Sequence, residues 1–365
     1  MKNKHEQIAD WVEDKIRKHQ YPPSGFLPSE REISRKLSVS RVTVRLGLGR
    51  LKQRRLIQPV PGKGYQVLAG PHSRRNSRTY FIGGVFAGQK NPFSTGPMFT
   101  GVSDILEKNN FHLVYSSSDD LLQSETSKIR MLLKKKVDGL IIQPAYKKLP
   151  SSGQKDELGN HAYIKQLYDS GIPVVLIDRS YGVADIPCVC NDDRGGGYMA
   201  TEYLLKRGHR RVAIFGATID RIGRQRYQGY LDAMAAHGAK PSIHLFNHLS
   251  LKSMGCMDEF SLAETRKMLG ALTDETGIFT LGMFAFILAR LAGAPDYKGP
   301  AIEWIGYDLG PEYMAGNHKS FAYVKRPMEE IGRRAAEKML ALLNNDGHTA
   351  IEFVKPKIVD PAQMI

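Results

Sequence analysis

The sequence predicts an α/β protein in two parts, a small helical head followed by a larger body built on parallel sheets. Three observations predict it. Positive charge is concentrated at the N-terminus, and apolar residues recur at helical spacing there until a glycine-containing hairpin. From Tyr80 onward, short apolar strands alternate with helical stretches, the pattern of βαβ units. The 365 residues are too many for one ordinary domain and enough for two, and 42% apolar with 24% charged residues excludes a disordered or fibrous chain.

Charge placement narrows the function classes. Of the formal net charge of +15, residues 1–70 hold +9, residues 71–79 a further +3, and the remaining 286 residues only +3. This points to a polyanion partner for the head and none for the body. No apolar run approaches the roughly 18 residues that cross a bilayer, and MKNKHEQIAD lacks the apolar core of a secretory signal, so a cytoplasmic protein is expected. The three cysteines fit a reducing compartment. Cys188 and Cys190, two apart on a probable strand with no His or Cys cluster near them in sequence, read as small apolar residues; no metal or cofactor is expected.

Within the head, Ile8, Val12 and Ile16 recur at helical spacing, predicting a helix over 4–19 that ends at Tyr21-Pro22-Pro23-Ser24-Gly25. Ser29 followed three residues later by Glu32 predicts a capping box and a second short helix through Leu37. Ser38-Val39 makes the turn, and Ser40 caps a third helix opening at Arg41, with Val42, Leu46 and Gly49 expected inward and Arg41, Thr43 and Arg45 outward. Residues 58–67 read as a two-stranded wing. Gly47 and Gly49 inside the third helix each cost about 0.8–1 kcal/mol relative to alanine.

These residues resemble the GntR family of bacterial regulators. The resemblance is carried by Tyr-Pro-Pro-Ser-Gly, Leu27 to Glu32, Val39 to Arg45 and Gly62 to Gly64, in order over about 60 residues. It implies a winged helix-turn-helix in which Arg31 and Thr43 contact phosphates and Arg41 and Arg45 reach bases or phosphates. The tip Gly62-Lys63-Gly64 would then bring the wing near the minor groove of double-stranded operator DNA. The head is set at 1–70 and residues 71–79 read as a basic tether.

The body spans 80–365. Strands are predicted at 81–86, 112–116, 139–143, 174–178, 212–215, 277–281 and 301–307, with helices near 97–109, 123–136, 161–170, 195–207, 224–238, 260–270 and 283–293. The motifs Asn91-Pro92-Phe93, Val137 to Ile142, Gly171 to Arg179, Asp192 to Gly197, Gly208 to Ala213, Arg226 to Tyr230, Ile305 to Asp308 and Val324 to Pro327 follow one another along it. Together they resemble the effector domain of the LacI/GalR family, which is built like periplasmic sugar-binding proteins. The resemblance implies a two-lobed, parallel-sheet α/β fold with a ligand cleft. The chain would cross between lobes near 180, 323 and 348, with lobe 1 at about 80–180 and 324–347 and lobe 2 at about 181–323 and 348–365. Arg226 and Asp308 match the sugar-gripping positions, with Asn91, Phe93, Asp178, Arg179 and Asp192 as further candidates. Each has a structural alternative: Asp308 as a cap, Arg226 paired with a carboxylate across the hinge, Asp178 orienting a loop. At Thr280-Leu281-Gly282-Met283-Phe284 the sequence departs from an Asn-Asp pair common in that family, which removes a polar contact.

The reading that follows is a ligand-responsive, dimeric DNA-binding regulator, a repressor of carbohydrate genes released by a small sugar or related effector. A constitutive repressor with a degenerate cleft and a sugar receptor are the alternatives. No GxSxG, Walker A loop, metal cluster or dinucleotide fingerprint occurs, so no enzyme activity is expected.

Overall fold

The computed structural model describes residues 3–17, 20–21, 25–53, 56–68, 78–88, 92–147, 157–216, 221–245, 266–267, 269–270, 272, 276–281, 284–292, 302–308, 320–344, 346 and 350–363. The head holds helices α1 (Lys4–Arg17), α2 (Glu30–Leu37) and α3 (Arg41–Gln53), then strands β1 (Ile57–Val60) and β2 (Gly64–Val67). Ser29 and Glu32 form the capping box reciprocally: the Glu32 N–H donates to Ser29 Oγ (3.3 Å) and the Ser29 N–H to Glu32 Oε2 (2.7 Å). β1 and β2 pair antiparallel from Ile57 opposite Val67 to Val60 opposite Gly64, and Gly62 and Gly64 supply the positive φ their turn requires. Ile8, Val12, Ile16, Ile33, Leu51 and Ile57 are among the residues that close the head's core.

The face of α3 differs from expectation. Val44, Gly47, Leu48 and Leu51 are buried, whereas Val42 and Leu46 are 66% and 56% exposed. Gly47 is the reason. A Cβ there would sit 2.9 Å from Ile8 Cγ2 and 3.0 Å from the His5 carbonyl, so α1 lies against α3 where only glycine leaves room. The helix turns its glycine inward and two aliphatic side chains outward.

The body has two six-stranded sheets. Its elements run β3 (Phe81–Phe86), α4 (Pro92–Lys108), β4 (His112–Ser117), α5 (Leu122–Lys134), β5 (Gly139–Ile142), β6 (Tyr146–Lys147), β7 (Glu157–Leu158), α6 (His161–Asp169), β8 (Val174–Ile177) and β9 (Cys188–Asn191). They continue as α7 (Asp193–Lys206), β10 (Val212–Gly216), α8 (Arg221–Ala236), β11 (Ser242–Leu245), β12 (Gly277–Thr280), α9 (Phe284–Ala292), β13 (Glu303–Tyr307), β14 (Ala322–Lys325), α10 (Met328–Leu343), β15 (Ile351–Val354) and β16 (Lys357–Val359). Sheet order is β15-β9-β8-β5-β3-β4 in lobe 1 and β11-β10-β12-β13-β14-β16 in lobe 2. Within these two sheets all neighbouring strands are parallel except β14 and β16, and β6 and β7 form a separate antiparallel pair. β5, β8, β10 and β12 are buried along their whole length, as parallel strands covered on both faces must be.

These pairings move the lobe boundaries. β9 pairs with β8 and with β15, so residues 188–191 and 351–354 belong to lobe 1, not to lobe 2 as the crossings near 180 and 348 implied. The chain passes between lobes at 192, at 326 and at 355–356. The tether is also shorter than expected, since Arg78 Nη2 donates to the Leu343 carbonyl (2.8 Å) and the Thr79 N–H to Asp138 (3.2 Å), which ties both residues to lobe 1. Close helix pairs flank the sheets. A Cβ at Gly101 or Gly332 would run into the backbone of the facing helix where α4 meets α10, and one at Gly197 or Gly229 would do so where α7 meets α8. Within the run Gly195 to Gly197, Gly197 serves this helix packing, while a Cβ at Gly196 would meet the Tyr307 ring and one at Gly195 the Asp192 carboxyl. The predicted helix at 260–270 falls largely outside the described residues.

Candidate DNA-binding face and effector cleft

At the start of α3, Ser40 Oγ accepts the Thr43 N–H (3.1 Å) and lies 2.7 Å from Thr43 Oγ1, which fixes the helix N-terminus. Arg31, Arg41 and Lys63 are exposed, and so are the wing-tip glycines Gly62 and Gly64. Arg45 is exposed as well but not unpartnered: its Nε and Nη2 donate to Glu30 Oε1 (3.1 Å) and Oε2 (2.9 Å). That bidentate hydrogen bond holds the Glu30 carboxyl below its usual range. Thr43 is partly exposed, and Arg31 lies on α2 rather than on the third helix or the wing.

The cleft is built where strands end. Asp178 follows β8 and Asp308 follows β13, both at positive φ (66° and 82°), so each side chain is turned off its strand toward the gap between lobes. Arg226, buried on α8, donates from Nε to Asp193 Oδ1 (2.8 Å) and from Nη1 to Asp308 Oδ2 (3.0 Å), and its guanidinium lies 3.7 Å from the Tyr307 ring centre. Arg326, at the crossing between β14 and α10, contacts Asp308 and donates to Asp178 Oδ1 (3.3 Å). Asp178 also accepts from Gln143 Nε2 (2.7 Å). Arg179 donates to Asp120 Oδ1 (2.7 Å) and sits 4.3 Å from the Tyr146 ring centre. The charges therefore alternate through Asp120, Arg179, Asp178, Arg326, Asp308, Arg226 and Asp193, passing from lobe 1 to lobe 2.

Burial and charge set the protonation tendencies of this row. Burial alone would lower the Arg226 guanidinium, but the carboxylates of Asp308 and Asp193 outweigh it and hold the cation well above its ordinary value. Burial pushes the Asp308 carboxyl up, yet Arg226 and Arg326 together leave it below the usual range. At Asp193 burial outweighs the attraction of Arg226, its hydrogen-bond partner, and of the more distant Arg326, so its carboxyl lies above the usual range.

Beside the row lies a cavity of about 650 Å³, lined by residues that include Arg179, Asn191, Asp193, Arg221 and Arg224. Arg221 reaches from lobe 2 to the Ser180 carbonyl (3.3 Å). Asn191 Nδ2 donates to the Tyr307 hydroxyl (3.1 Å), while its Oδ1 and Arg179 Nε are buried with no hydrogen-bond partner among the described residues. A ligand hydroxyl can donate to Asn191 Oδ1, and a ligand hydroxyl or anion can accept from Arg179 Nε.

Of the residues expected at the cleft, the structure brings Arg226, Asp308, Asp178 and Arg179 together. Arg226 is already paired, within lobe 2 rather than across the hinge. Asp192 is the cap of α7, its Oδ1 accepting the Gly195 N–H (2.8 Å). Asn91 lies outside the described residues, as do Gly282 and Met283, and only the backbone of Phe93 is described, in the first turn of α4. Asp193, Arg326 and Asn191 are site residues that the sequence reading does not name individually, although Asp193 and Arg326 lie within the motifs Asp192 to Gly197 and Val324 to Pro327, next to crossings. Cys188 and Cys190 are buried in the lobe 1 core with their Sγ atoms 3.1 Å apart. Among the described residues, no group of metal-ligating side chains forms and no helix is long and apolar enough to cross a membrane.

A winged helix-turn-helix head on a two-lobed α/β body with a polar interlobe cleft defines a class, the two-part bacterial transcription regulator. The chain belongs to the family of periplasmic binding proteins and the sugar binding domain of the LacI family, whose profile matches residues 79–265. Its N-terminus is a regulatory domain of the gntR family, matched over residues 4–67. An arabinose metabolism transcriptional repressor of Geobacillus stearothermophilus is 29% identical over 343 residues, 93% of this chain and 89% of that protein. A LacI transcriptional regulator from Lactobacillus brevis shares the fold at 19% identity and a TM-score of 0.60, covering 77% of this chain and 100% of that one. The Cra transcriptional dual regulator from Pseudomonas putida, in complex with fructose 1-phosphate, does so at 18% identity and 0.59, covering 78% and 99%.

Proposed function

We propose that this protein is a transcription repressor of carbohydrate-metabolism genes that binds operator DNA as a homodimer and is released when a small sugar or related effector enters the interlobe cleft. The observation that carries the reading is the charge row through Arg326, which joins the lobes beside a cavity lined in part by Arg179 and Asn191, each with a buried polar atom unpartnered among the described residues. An effector that satisfies those atoms competes with links that set the lobes' relative position, and a dimer passes that change to the spacing of two heads on a palindrome. On DNA, Arg31 and Thr43 contact phosphates, Arg41 and Arg45 reach phosphates or base edges, and Gly62 to Gly64 carry the wing toward the minor groove. Arg45 does so by exchanging Glu30 for the nucleic acid.

One observation favours a second reading, a constitutive repressor: Arg226 and Asp308 already satisfy each other. Titrating operator DNA with the protein, with and without a panel of neutral and phosphorylated sugars, separates the two. A sugar that weakens DNA binding supports the switch. Unchanged affinity with every sugar supports the constitutive repressor, and absence of sequence-specific binding rejects both.

A further inference from the structure

On a helix turning about 100° per residue, the line opposite the buried face of α3 runs through Val42, Leu46 and Gly49. Val42 and Leu46, one turn apart, are among the most exposed large apolar side chains described, at 66% and 56%. Gly49 continues the line, and a Cβ there would find nothing within 4 Å, so its glycine answers no packing need inside the head. Arg45 flanks this stripe with Arg41 beyond it, and Glu30 holds the Arg45 guanidinium to one side. The middle of the outward face is thus apolar and low, with the cations at its border.

Resting on the reading of α3 as the DNA-facing helix, we propose that Val42 and Leu46 read thymine methyl groups in the major groove and so set operator sequence preference. Thymine alone among the four bases presents a methyl group there, and apolar side chains are its matching contact. The bordering arginines supply phosphate or guanine contacts, which position the helix and are blind to that methyl. Val42 and Leu46 are spaced about 6 Å along the axis, close to two base-pair steps, so each half-site should hold two thymines within two or three steps of each other. Gly49 keeps the next turn free of a side chain, so the backbone can approach the groove floor.

The test uses the full-length protein and a duplex it selects from a random pool. Each thymine is replaced in turn by deoxyuridine, which deletes the methyl and leaves every hydrogen-bonding edge intact, and Kd is measured at fixed salt. Two closely spaced positions per half-site should each weaken binding about fourfold, the worth of one buried methyl. Val42→Ala should lose sensitivity at one of them and Leu46→Ala at the other, with unchanged far-ultraviolet circular dichroism. Deoxyuridine tolerated within twofold at every position overturns the proposal, and so does an unaltered deoxyuridine profile in both variants. If no duplex is enriched at all, the DNA-binding reading falls and takes this one with it.

Discussion

Replacing Arg226 with alanine removes one cation from between two carboxylates. Asp193, 4% exposed, has Arg226 as its partnering cation, whereas Asp308, 23% exposed, keeps Arg326. Removing one member of a buried, hydrogen-bonded ion pair costs about 3–5 kcal/mol, because a charge is left buried and uncompensated. At roughly 2–4 °C per kcal/mol for a unit of this size, Tm should fall by roughly 6–20 °C. The loss carries a pH signature. Burial already places the Asp193 carboxyl above its ordinary range, and without Arg226 it rises further. The folded variant then binds a proton more tightly than the unfolded chain does, so its stability is present below that raised pKa and lost as pH climbs through it. The deficit against wild type should therefore shrink from about pH 7 toward about pH 5. Arg226→Lys should recover part of the stability, since an ammonium keeps the charge but not the forked geometry. Calorimetry of the full chain at both pH values decides the matter. A Tm within about 2 °C of wild type would sink the structural role derived for Arg226.

Three further outcomes are expected. Gly49→Ala should raise the stability of the head by about 0.8–1 kcal/mol because the site is open, while Gly47→Ala should lower it by about 1 kcal/mol, the clash with Ile8 and the His5 carbonyl exceeding the gain in helix propensity; amide exchange along α3 reads both. Glu125, fully buried, is pushed up to about 6 by burial against the opposing hydrogen bonds of Asn160 and the Ala145 N–H. Its protonated form stabilises the fold fully below the ordinary 4.5, and that contribution is lost as pH rises through about 6. Glu125→Gln should flatten the pH dependence of the denaturation midpoint over that interval, and an unchanged profile would contradict the assignment. Arg41→Ala with Arg45→Ala should weaken operator binding and reduce the salt slope by about 0.9 for each phosphate that is no longer neutralised, measured by fluorescence anisotropy at several salt concentrations.

The sequence made the parallel strands of both sheets visible where they are apolar throughout, as in Val174–Ile177 and Val212–Gly216. It did not reveal β15 as a lobe 1 strand. Three of that strand's four residues keep some exposure, and its place depends on pairing with β9 some 160 residues earlier, which local composition does not encode. The inward face of α3 was misread for a related reason. Apolar character at Val42 and Leu46 suggested a core face, but the close approach of α1 at Gly47 set the rotation of the helix. Arg226 and Asp308 could be found because each lies in a compact motif. Their partners Asp193 and Arg326 also lie in motifs, but the contacts that give them a role arise only where separate crossings meet, which neither motif encodes.

The alternating row also bears on how the cleft could act as a switch. Asp120, Arg179 and Asp178 belong to lobe 1, Asp193, Arg226 and Asp308 to lobe 2, and Arg326 at a crossing is the member that touches carboxylates of both. A charge-assisted hydrogen bond is worth about 1.5–3 kcal/mol, and an allosteric coupling of about 1–3 kcal/mol suffices for a useful response. Exchanging a single rung of the row for a ligand contact is therefore enough. Because these groups are buried, a ligand that breaks a rung without replacing it leaves a charge unpaired and is rejected. The row links the lobes, and under the proposed function it would also discriminate between ligands. Asn191 Oδ1 and Arg179 Nε stand without a hydrogen-bond partner among the described residues, on two residues that line the cavity beside the rung that spans the lobes.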